Sequence, residues 1–179
     1  MVSSISGFAP ASMSKEKNLN FTNVKLSIET RQDTANPKPE PLVVKYKRVG
    51  FFDYGFGLVD PLKEKSLFFL SITENEYSDK ILKIKACDID NHKKVLCVNN
   101  RGAEKNIFGY NSKGDYLFVE RIDKEDFKLN NMNKVYIYGL DQSATPARRY
   151  WWGRENDVLH GFLDEKKRTI FDMFMLEKL

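Results

Sequence analysis

Apolar and polar residues alternate over short segments of the chain, and this period of two is typical of half-buried β-strands. In residues 21–28, Val24, Leu26 and Ile28 fall on one face, with polar residues between them. Alternation also predicts strands at 80–89 and 134–140, and β-branched, aromatic or apolar runs predict strands at 42–49, 51–59 and 66–73. Residues 94–98 are predicted to pair back on 80–89, and 107–110 with 115–122 to form another hairpin in which Gly114 supplies a positive φ. The chain is therefore predicted to be mainly β.

The predicted strands follow one another at spacings of about ten residues, which is typical of an antiparallel β-sandwich or barrel, jelly-roll-like in kind. Residues 1–18 are rich in Ser, Ala and Lys and show no period, so we expect a disordered or extended N-terminal arm. Prolines within 29–41 favour a stiff surface connection. Residues 19–179 are predicted to form a single β-rich domain.

The C-terminal segment carries two competing signals. An acidic start at Asp164 and a basic residue near the far end, Lys178, favour a short helix over 164–179. The aromatic content of 169–176 is also that of a strand. The helix is the preferred prediction.

Composition and charge narrow the class of protein. The 179 residues are 41% hydrophobic and 13% aromatic, which is enough for a packed core, so a wholly disordered chain is excluded. The formal charge of +4 is too mild to indicate a strongly basic nucleic-acid binder. Clustered cations would still be compatible with a polyanion or an anionic membrane surface.

Membrane and export signals are not found in the sequence. No apolar run reaches the roughly 18 residues that a transmembrane helix needs. Residues 1–7 have neither a basic start nor an apolar core, so no secretory signal peptide is predicted. The expected location is therefore intracellular, in the cytoplasm.

Metal and cofactor patterns are not found either. The two histidines and two cysteines do not have zinc-like spacing, and glycine loops that cradle phosphate do not occur, so no metal or cofactor is predicted. Cys87 and Cys97 are expected to be packed, reduced thiols. A three-residue loop within 90–93 would place them opposite each other, and a two-residue loop would place Leu96 opposite Cys87.

Catalytic patterns are weak. No nucleophile elbow is present, and neither cysteine has an evident activating context. Glu155, Asp157 and His160 lie close in sequence and could form an acid–base set, which keeps a small hydrolase or transferase as a third hypothesis. Carboxylates near a surface histidine are common, so the chain is predicted not to be an enzyme.

Residues 54–59, Tyr-Gly-Phe-Gly-Leu-Val, partly resemble the central strand motif of RNA-recognition domains. Tyr54 stands where that motif begins with Lys or Arg, and Pro61 stands at its last aromatic position. The polar residues 29–41 also leave no amphipathic helix upstream. The glycines are instead predicted to allow a kink or bulge in a strand.

Two patches that combine basic and aromatic residues are the candidate binding surfaces. Within a strand, the first patch would place Lys45 and Lys47 on one face and Tyr46 and Arg48 on the other. The second patch contains both tryptophans of the chain. The predicted binding residues are Lys45, Lys47, Arg48, Arg148, Arg149, Tyr150, Trp151, Trp152 and Arg154.

The preferred hypothesis is a non-enzymatic assembly protein, either a homo-oligomer or a binder of another protein. Trp151 and Trp152 would fill an apolar recess on the partner, and arginines would surround them. An N-terminal arm followed by one antiparallel β domain resembles viral coat, matrix or movement proteins in kind. The alternative hypothesis is a binder of single-stranded nucleic acid, with bases stacked on the rings and phosphates held by the same cations.

Overall fold

The computed structural model describes residues 20–30, 41–50, 54–99, 106–141 and 145–177. These residues are nearly all β and contain a closed nine-strand antiparallel barrel. The predicted antiparallel all-β class is confirmed. Of the two predicted architectures, sandwich and barrel, the structure has the barrel. The predicted arm at 1–18 lies outside the described residues, as does most of the proline-rich connection.

Twelve β-strands run through the described residues, together with two 3₁₀ segments. The strands are β1 (Lys25–Thr30), β2 (Leu42–Arg48), β3 (Tyr54–Val59), β4 (Leu70–Ser78), β5 (Ile81–Asp88), β6 (Asn91–Asn99), β7 (Asn106–Asn111), β8 (Leu117–Arg121), β9 (Asn131–Asp141), β10 (Arg148–Glu155), β11 (Val158–Phe162) and β12 (Phe171–Leu176). The 3₁₀ segments are Pro61–Lys63 and Glu165–Lys167.

Antiparallel pairing closes the sheet along the path β1–β4–β5–β8–β9–β10–β11–β3–β2 and back to β1. The strand β12 pairs with both β1 and β9, while β6 and β7 link β5 to β11. A closed ladder pairs backbone groups that an open sheet would leave at its edges.

The long strand β9 pairs with three other strands, β8, β10 and β12. On one side its first residues pair with β12 and its last residues pair with β10. On the other side, Val135 to Gly139 pair with β8. The outward side chains of β9 are therefore flanked by those of β8 and β10, which builds a broad outer face.

Inward side chains from around the barrel form one hydrophobic core. Leu26, Ile72, Ile137 and Trp152 are at most 1% exposed. Full burial of a large apolar side chain stabilises the fold by about 1.5–3 kcal/mol. The residues between these positions in each strand point outward, so they determine what the surface can bind.

The predicted C-terminal helix over 164–179 is wrong. Asp164 caps a single turn, Glu165–Lys167, through a hydrogen bond of 3.0 Å from a backbone N–H to its carboxylate. The chain then continues as β12, in which Phe171 and Met173 are 0% exposed at the spacing of a strand. Pairing with β1 along the whole of β12 outweighs the local helix signal.

The hairpin after β5 turns earlier than the predicted position at 90–93. The carboxylate of Asp88 accepts a hydrogen bond of 2.7 Å from Asp90 N, which stabilises a turn at residues 89–90. The next strand therefore begins already at Asn91.

The early turn and a register shift beside Cys87 decide what lies opposite this residue. Its partner is Val95, so both predicted alternatives, Cys97 and Leu96, are wrong. The two cysteines are buried and are not joined to each other. Burial raises the pKa of Cys97 to about 11, so this thiol stays protonated at neutral pH.

Gly114 has a φ of 73°, the positive value expected from the sequence. The predicted hairpin of 107–110 with 115–122 is not formed, because β7 pairs with β6 and β11 whereas β8 pairs with β5 and β9. The link between β7 and β8 instead passes close to β6, where a Cβ on Gly114 would collide with Val95.

Candidate functional site

The strand β10 carries the tryptophan–arginine patch predicted from the sequence. Successive side chains of a strand point to opposite faces, so Trp151 and Trp152 lie on opposite sides of the sheet. Trp152 is 0% exposed and packs edge-on against Phe171, with 5.9 Å between ring centroids. Trp151 lies on the outer face. The two indoles therefore cannot fill one recess on a partner, and the sequence-based picture of a joint indole anchor is corrected.

Trp151 belongs to a row of aromatic rings that crosses the outer face of the barrel. Phe118 of β8 lies opposite Tyr138 of β9, and their rings are stacked with centroids 5.1 Å apart. Tyr138 lies opposite Trp151, which in turn lies opposite Phe162 of β11. We call these four residues the aromatic row. Their chain neighbours, such as Val119, point into the core.

Two arginines cover the centre of the aromatic row. The guanidinium of Arg149 lies 4.8 Å from the Tyr138 ring centroid. That of Arg168 lies 4.8 Å from Trp151 and 3.8 Å from Tyr136. Each such contact is worth about 0.5–2 kcal/mol. Burial raises the pKa of Tyr138, and the charge of Arg149 opposes that shift.

Two lysines cover the ends of the aromatic row. Lys83 Nζ lies 6.0 Å from the ring centroid of Phe118, and Lys167 Nζ lies 5.6 Å from that of Phe162. Every ring of the row therefore has a cation over it, and the outer face presents positive charge above an aromatic floor.

Trp151 is only 4% exposed because the segment after β11 folds back over it. Thr169 N donates to Trp152 O at 3.0 Å and holds this segment against β10. Gly153 permits the close approach, since a Cβ there would lie 2.5 Å from Lys167 O. The glycine thus keeps the cover in place over the aromatic row.

A groove of about 370 Å³ opens beside the aromatic row, between β8, β9, β10 and the segment that carries Arg168. Arg168 forms an ion pair of 2.7 Å with Glu165. Arg149 and Glu120 also line the groove, and within the described ranges neither has a partner at ion-pair distance. The groove therefore holds a guanidinium and a carboxylate that can pair with groups from outside.

Three other residues of the second predicted patch have structural partners. Asp141, which is 5% exposed, accepts hydrogen bonds from Arg148 Nη2 at 2.9 Å and from Tyr150 Oη at 3.2 Å. Arg154 Nε donates to Asn156 O at 2.8 Å in the turn between β10 and β11. These contacts join β9 to β10 and shape the turn.

Lys47, from the first predicted patch, folds back onto β3. Its Nζ donates to Leu58 O at 3.2 Å. Gly57 leaves room for this side chain and for Asp157 O, which would lie 2.8 Å from a Cβ at position 57. The register of β2 with β3 is continuous, so of the predicted kink or bulge the bulge is not formed between these two strands. Gly57 instead permits close approach of neighbouring atoms.

Lys45 and Arg48 fall on opposite faces of β2, as the alternation predicts. Lys45 Nζ donates to Ser66 O inside a lysine-lined groove. Arg48 Nε donates to Gly50 O at 3.3 Å and is exposed. The cations of the first patch therefore do not form one surface.

Tyr46 belongs to a second aromatic cluster, separate from the aromatic row. Tyr46 and Tyr54 are 37% and 58% exposed, and their rings are stacked with centroids 5.9 Å apart. Tyr110 packs against Tyr46 at 4.9 Å, and Lys94 Nζ lies 5.9 Å from the Tyr46 ring. Exposed rings beside a cation form a surface on which another planar group can stack.

No protein-family model and no curated protein sequence matches the chain. The function is therefore inferred from the surfaces described above.

The proposed acid–base residues are distributed over the β10–β11 hairpin. Glu155 lines a shallow groove with Arg154, and neither Asp157 nor His160 lines that groove. Asp157 lies 3.7 Å from Arg154 as an ion pair. His160 lies opposite Gly153 in the ladder. None of the three grooves of about 620, 380 and 370 Å³ is lined by all three of these residues.

Metal and membrane features were also sought in the described ranges. No group of three or more His, Cys, Asp or Glu residues there could hold a metal ion. No helix there is long and apolar enough to cross a membrane.

Sequence reasoning finds two members of the outer surface, Arg149 and Trp151. It misses the members that other segments supply, namely Lys83, Phe118, Glu120, Tyr138, Phe162, Lys167 and Arg168. One signal was available, because aromatic residues occupy the outward phase of the alternation in β8 and β9, where polar residues are expected.

Proposed function

We propose that this chain is a non-catalytic binding protein that associates with a second copy of itself through the outer face of β8, β9 and β10. The observation that carries the proposal is the aromatic row, with a cation over each of its rings. Trp, Tyr and Arg are the side chains that dominate association hot spots.

The indoles are not bare anchors in this proposal. A partner would meet the guanidinium groups that cover the rings. A guanidinium stacked on a ring keeps its in-plane N–H donors available for carboxylates. Arg149 Cζ lies over the Tyr138 ring at 4.8 Å from its centroid, and no carboxylate of the described residues lies at ion-pair distance from Arg149.

The charges beside the aromatic row are self-complementary. Glu120 and Arg149 line the same groove. In a two-fold dimer both copies contribute the same patch to the interface. A contact between Glu120 of one copy and Arg149 of the other therefore occurs twice. Arg149 of each copy would pair with Glu120 of the other. This arrangement favours a homodimer over an unrelated partner.

We expect light scattering after size exclusion to give the mass of a dimer or a larger assembly. Arg149→Glu and Glu120→Arg should each reduce it to the monomer mass, because each swap places like charges together twice at a cost of several kcal/mol. The double variant should recover the wild-type mass, since opposite charges face each other again.

Lys63→Glu is the matched control, since it reverses an exposed charge in a different groove and should leave the mass unchanged. A monomeric wild type at all accessible concentrations would contradict the proposal. Failure of the double variant to recover the mass would contradict the pairing of Arg149 with Glu120.

A second candidate function, the binding of single-stranded nucleic acid, is favoured by the exposed stack of Tyr46 and Tyr54. Bases stack on such rings while nearby cations contact phosphates. Lys94 lies beside the stack, and Arg48 lies opposite Tyr54 in the ladder.

We expect Tyr54→Ala to weaken binding of a labelled oligothymidine about tenfold, because a stacked base contributes about 1–3 kcal/mol. Fluorescence anisotropy at low salt measures this, and added salt should weaken binding steeply. Met132→Ala removes an exposed side chain without an aromatic ring, at 41% exposure, and should have no effect. Equal affinity of wild type and Tyr54→Ala would rule out this function for the tyrosine stack.

A further inference from the structure

A second groove, of about 620 Å³, shares no lining residue with the groove beside the aromatic row and is lined by four lysines. Lys25 comes from β1 and Lys45 from β2, while Lys63 and Lys65 come from the 3₁₀ segment after β3 and the loop that follows it. Like charges that converge in this way repel one another. Folding therefore concentrates positive charge at one place on the barrel.

These four ammonium groups have no ion-pair partner among the described residues. Lysines elsewhere on the barrel do have such partners. Lys80 lies 2.5 Å from Asp126, and Lys85 lies 3.6 Å from Glu74. What distinguishes the lysine groove is that four ammonium groups without an ion-pair partner among the described residues line one concavity.

Lys45 is the clearest case of an ammonium group that an anion would stabilise. Its Nζ donates to a neutral acceptor, Ser66 O. Burial lowers the pKa of Lys45, and the charges of Glu64, Asp90 and Asp88 oppose this shift only in part. The charged form is therefore less stable here than in water, and a bound anion would offset that loss.

We propose that this groove binds a small, multiply charged phosphate anion, with a polyphosphate group held by the four lysines. Lysine binds phosphate as a compact point charge with several donors. Asn23 and Ser71 also line the groove and can donate hydrogen bonds to phosphate oxygens. The volume lies within the range of small-molecule sites.

The lining also contains two carboxylates, Glu64 and Asp90, whose negative charge affects which anions the groove can bind. They reduce the attraction of the groove for anions in general. A polyphosphate is long enough to contact several of the ammonium groups at once, whereas a single phosphate contacts fewer of them. The groove should therefore bind tripolyphosphate more tightly than inorganic phosphate.

Isothermal titration calorimetry with sodium tripolyphosphate at low ionic strength tests the proposal. We expect saturable binding by the wild type that is at least about tenfold weaker in the Lys63→Met, Lys65→Met double variant, because hydrogen bonds to charged groups are being removed. Both lysines are exposed, so the variant should fold. Lys128→Met, which removes another exposed lysine, should bind like the wild type.

A parallel titration with ATP identifies the source of the phosphate. Tighter binding of ATP than of tripolyphosphate would support a nucleotide ligand, and equal binding would support recognition of the phosphate chain alone. No saturable binding of tripolyphosphate, or equal binding by wild type and double variant, would overturn the proposal. The double variant should keep the wild-type mass in light scattering, so this result is independent of the proposed self-association.

Discussion

Replacing Trp152 with alanine is expected to lower the free energy of unfolding by about 3–5 kcal/mol, the usual cost of removing a large buried aromatic side chain. Trp152 is 0% exposed and lies in the core against Phe171. The alanine would leave a cavity between β10 and β12 that the closed ladder cannot easily collapse. Urea unfolding followed by circular dichroism measures the change.

Tyr54→Ala is the matched control for this loss. It also removes an aromatic ring from a strand, but Tyr54 is 58% exposed, so its free energy of unfolding should change by no more than about 0.5 kcal/mol. A Trp152→Ala variant as stable as Tyr54→Ala would show that Trp152 does not fill the core.

Gly153→Val is expected to destabilise the protein by about 3 kcal/mol, at the upper end of the range for overpacking. The new Cβ would collide with the Phe162 ring and would lie 2.5 Å from Lys167 O. Backbone atoms must then move, and the segment that covers Trp151 should lift. Valine has a high β-strand propensity, so a loss of stability in this variant would come from the steric collision and not from a poorer strand former.

Thermal unfolding and tryptophan fluorescence test this expectation together. In a Trp152→Phe background the emission reports Trp151 alone, and Gly153→Val should shift it toward the red as Arg168 moves away. Leu163→Ala changes an exposed residue of the same segment, at 42% exposure, and should alter neither signal. Unchanged emission in Gly153→Val would mean that the glycine is not what keeps the cover closed.

The fold class could be predicted because alternation is a local property. Residues 80–89 and 134–140 alternate clearly, and both segments are strands of the barrel. The predicted strand at 66–73 is displaced to Leu70–Ser78, because the polar residues after Ile72 pair with β5 across a bulge. Such a displacement depends on a partner strand and is not visible in the segment itself.

The tryptophan patch illustrates how a local pattern can mislead. Trp151 and Trp152 are adjacent in sequence, which suggests one surface. The strand β10 was not among the predicted strands, and without it the opposite orientation of the two indoles could not be inferred. Recognising a strand at 148–155 would have separated them before any coordinates were known.

The aromatic row could not have been predicted from spacing. Its rings come from β8, β9, β10 and β11, and they meet only because the register places Phe118, Tyr138 and Trp151 in line. Register depends on long-range pairing, and a slip of one residue would turn each ring inward. The sequence does contain the alternation of Phe118 with Val119 and of Tyr138 with Ile137, which places each ring on the opposite face of its strand from its apolar neighbour.

The pairing of β1 with β12 has a consequence for how the protein is made. Thr30 lies opposite Phe171, and Lys25 lies opposite Leu176. On the ribosome, β1 emerges long before its partner has been translated, and contacts so distant along the chain form slowly. A nascent chain therefore carries an unsatisfied strand edge until synthesis reaches β12, and a chaperone that shields this edge would prevent it from pairing with other nascent chains.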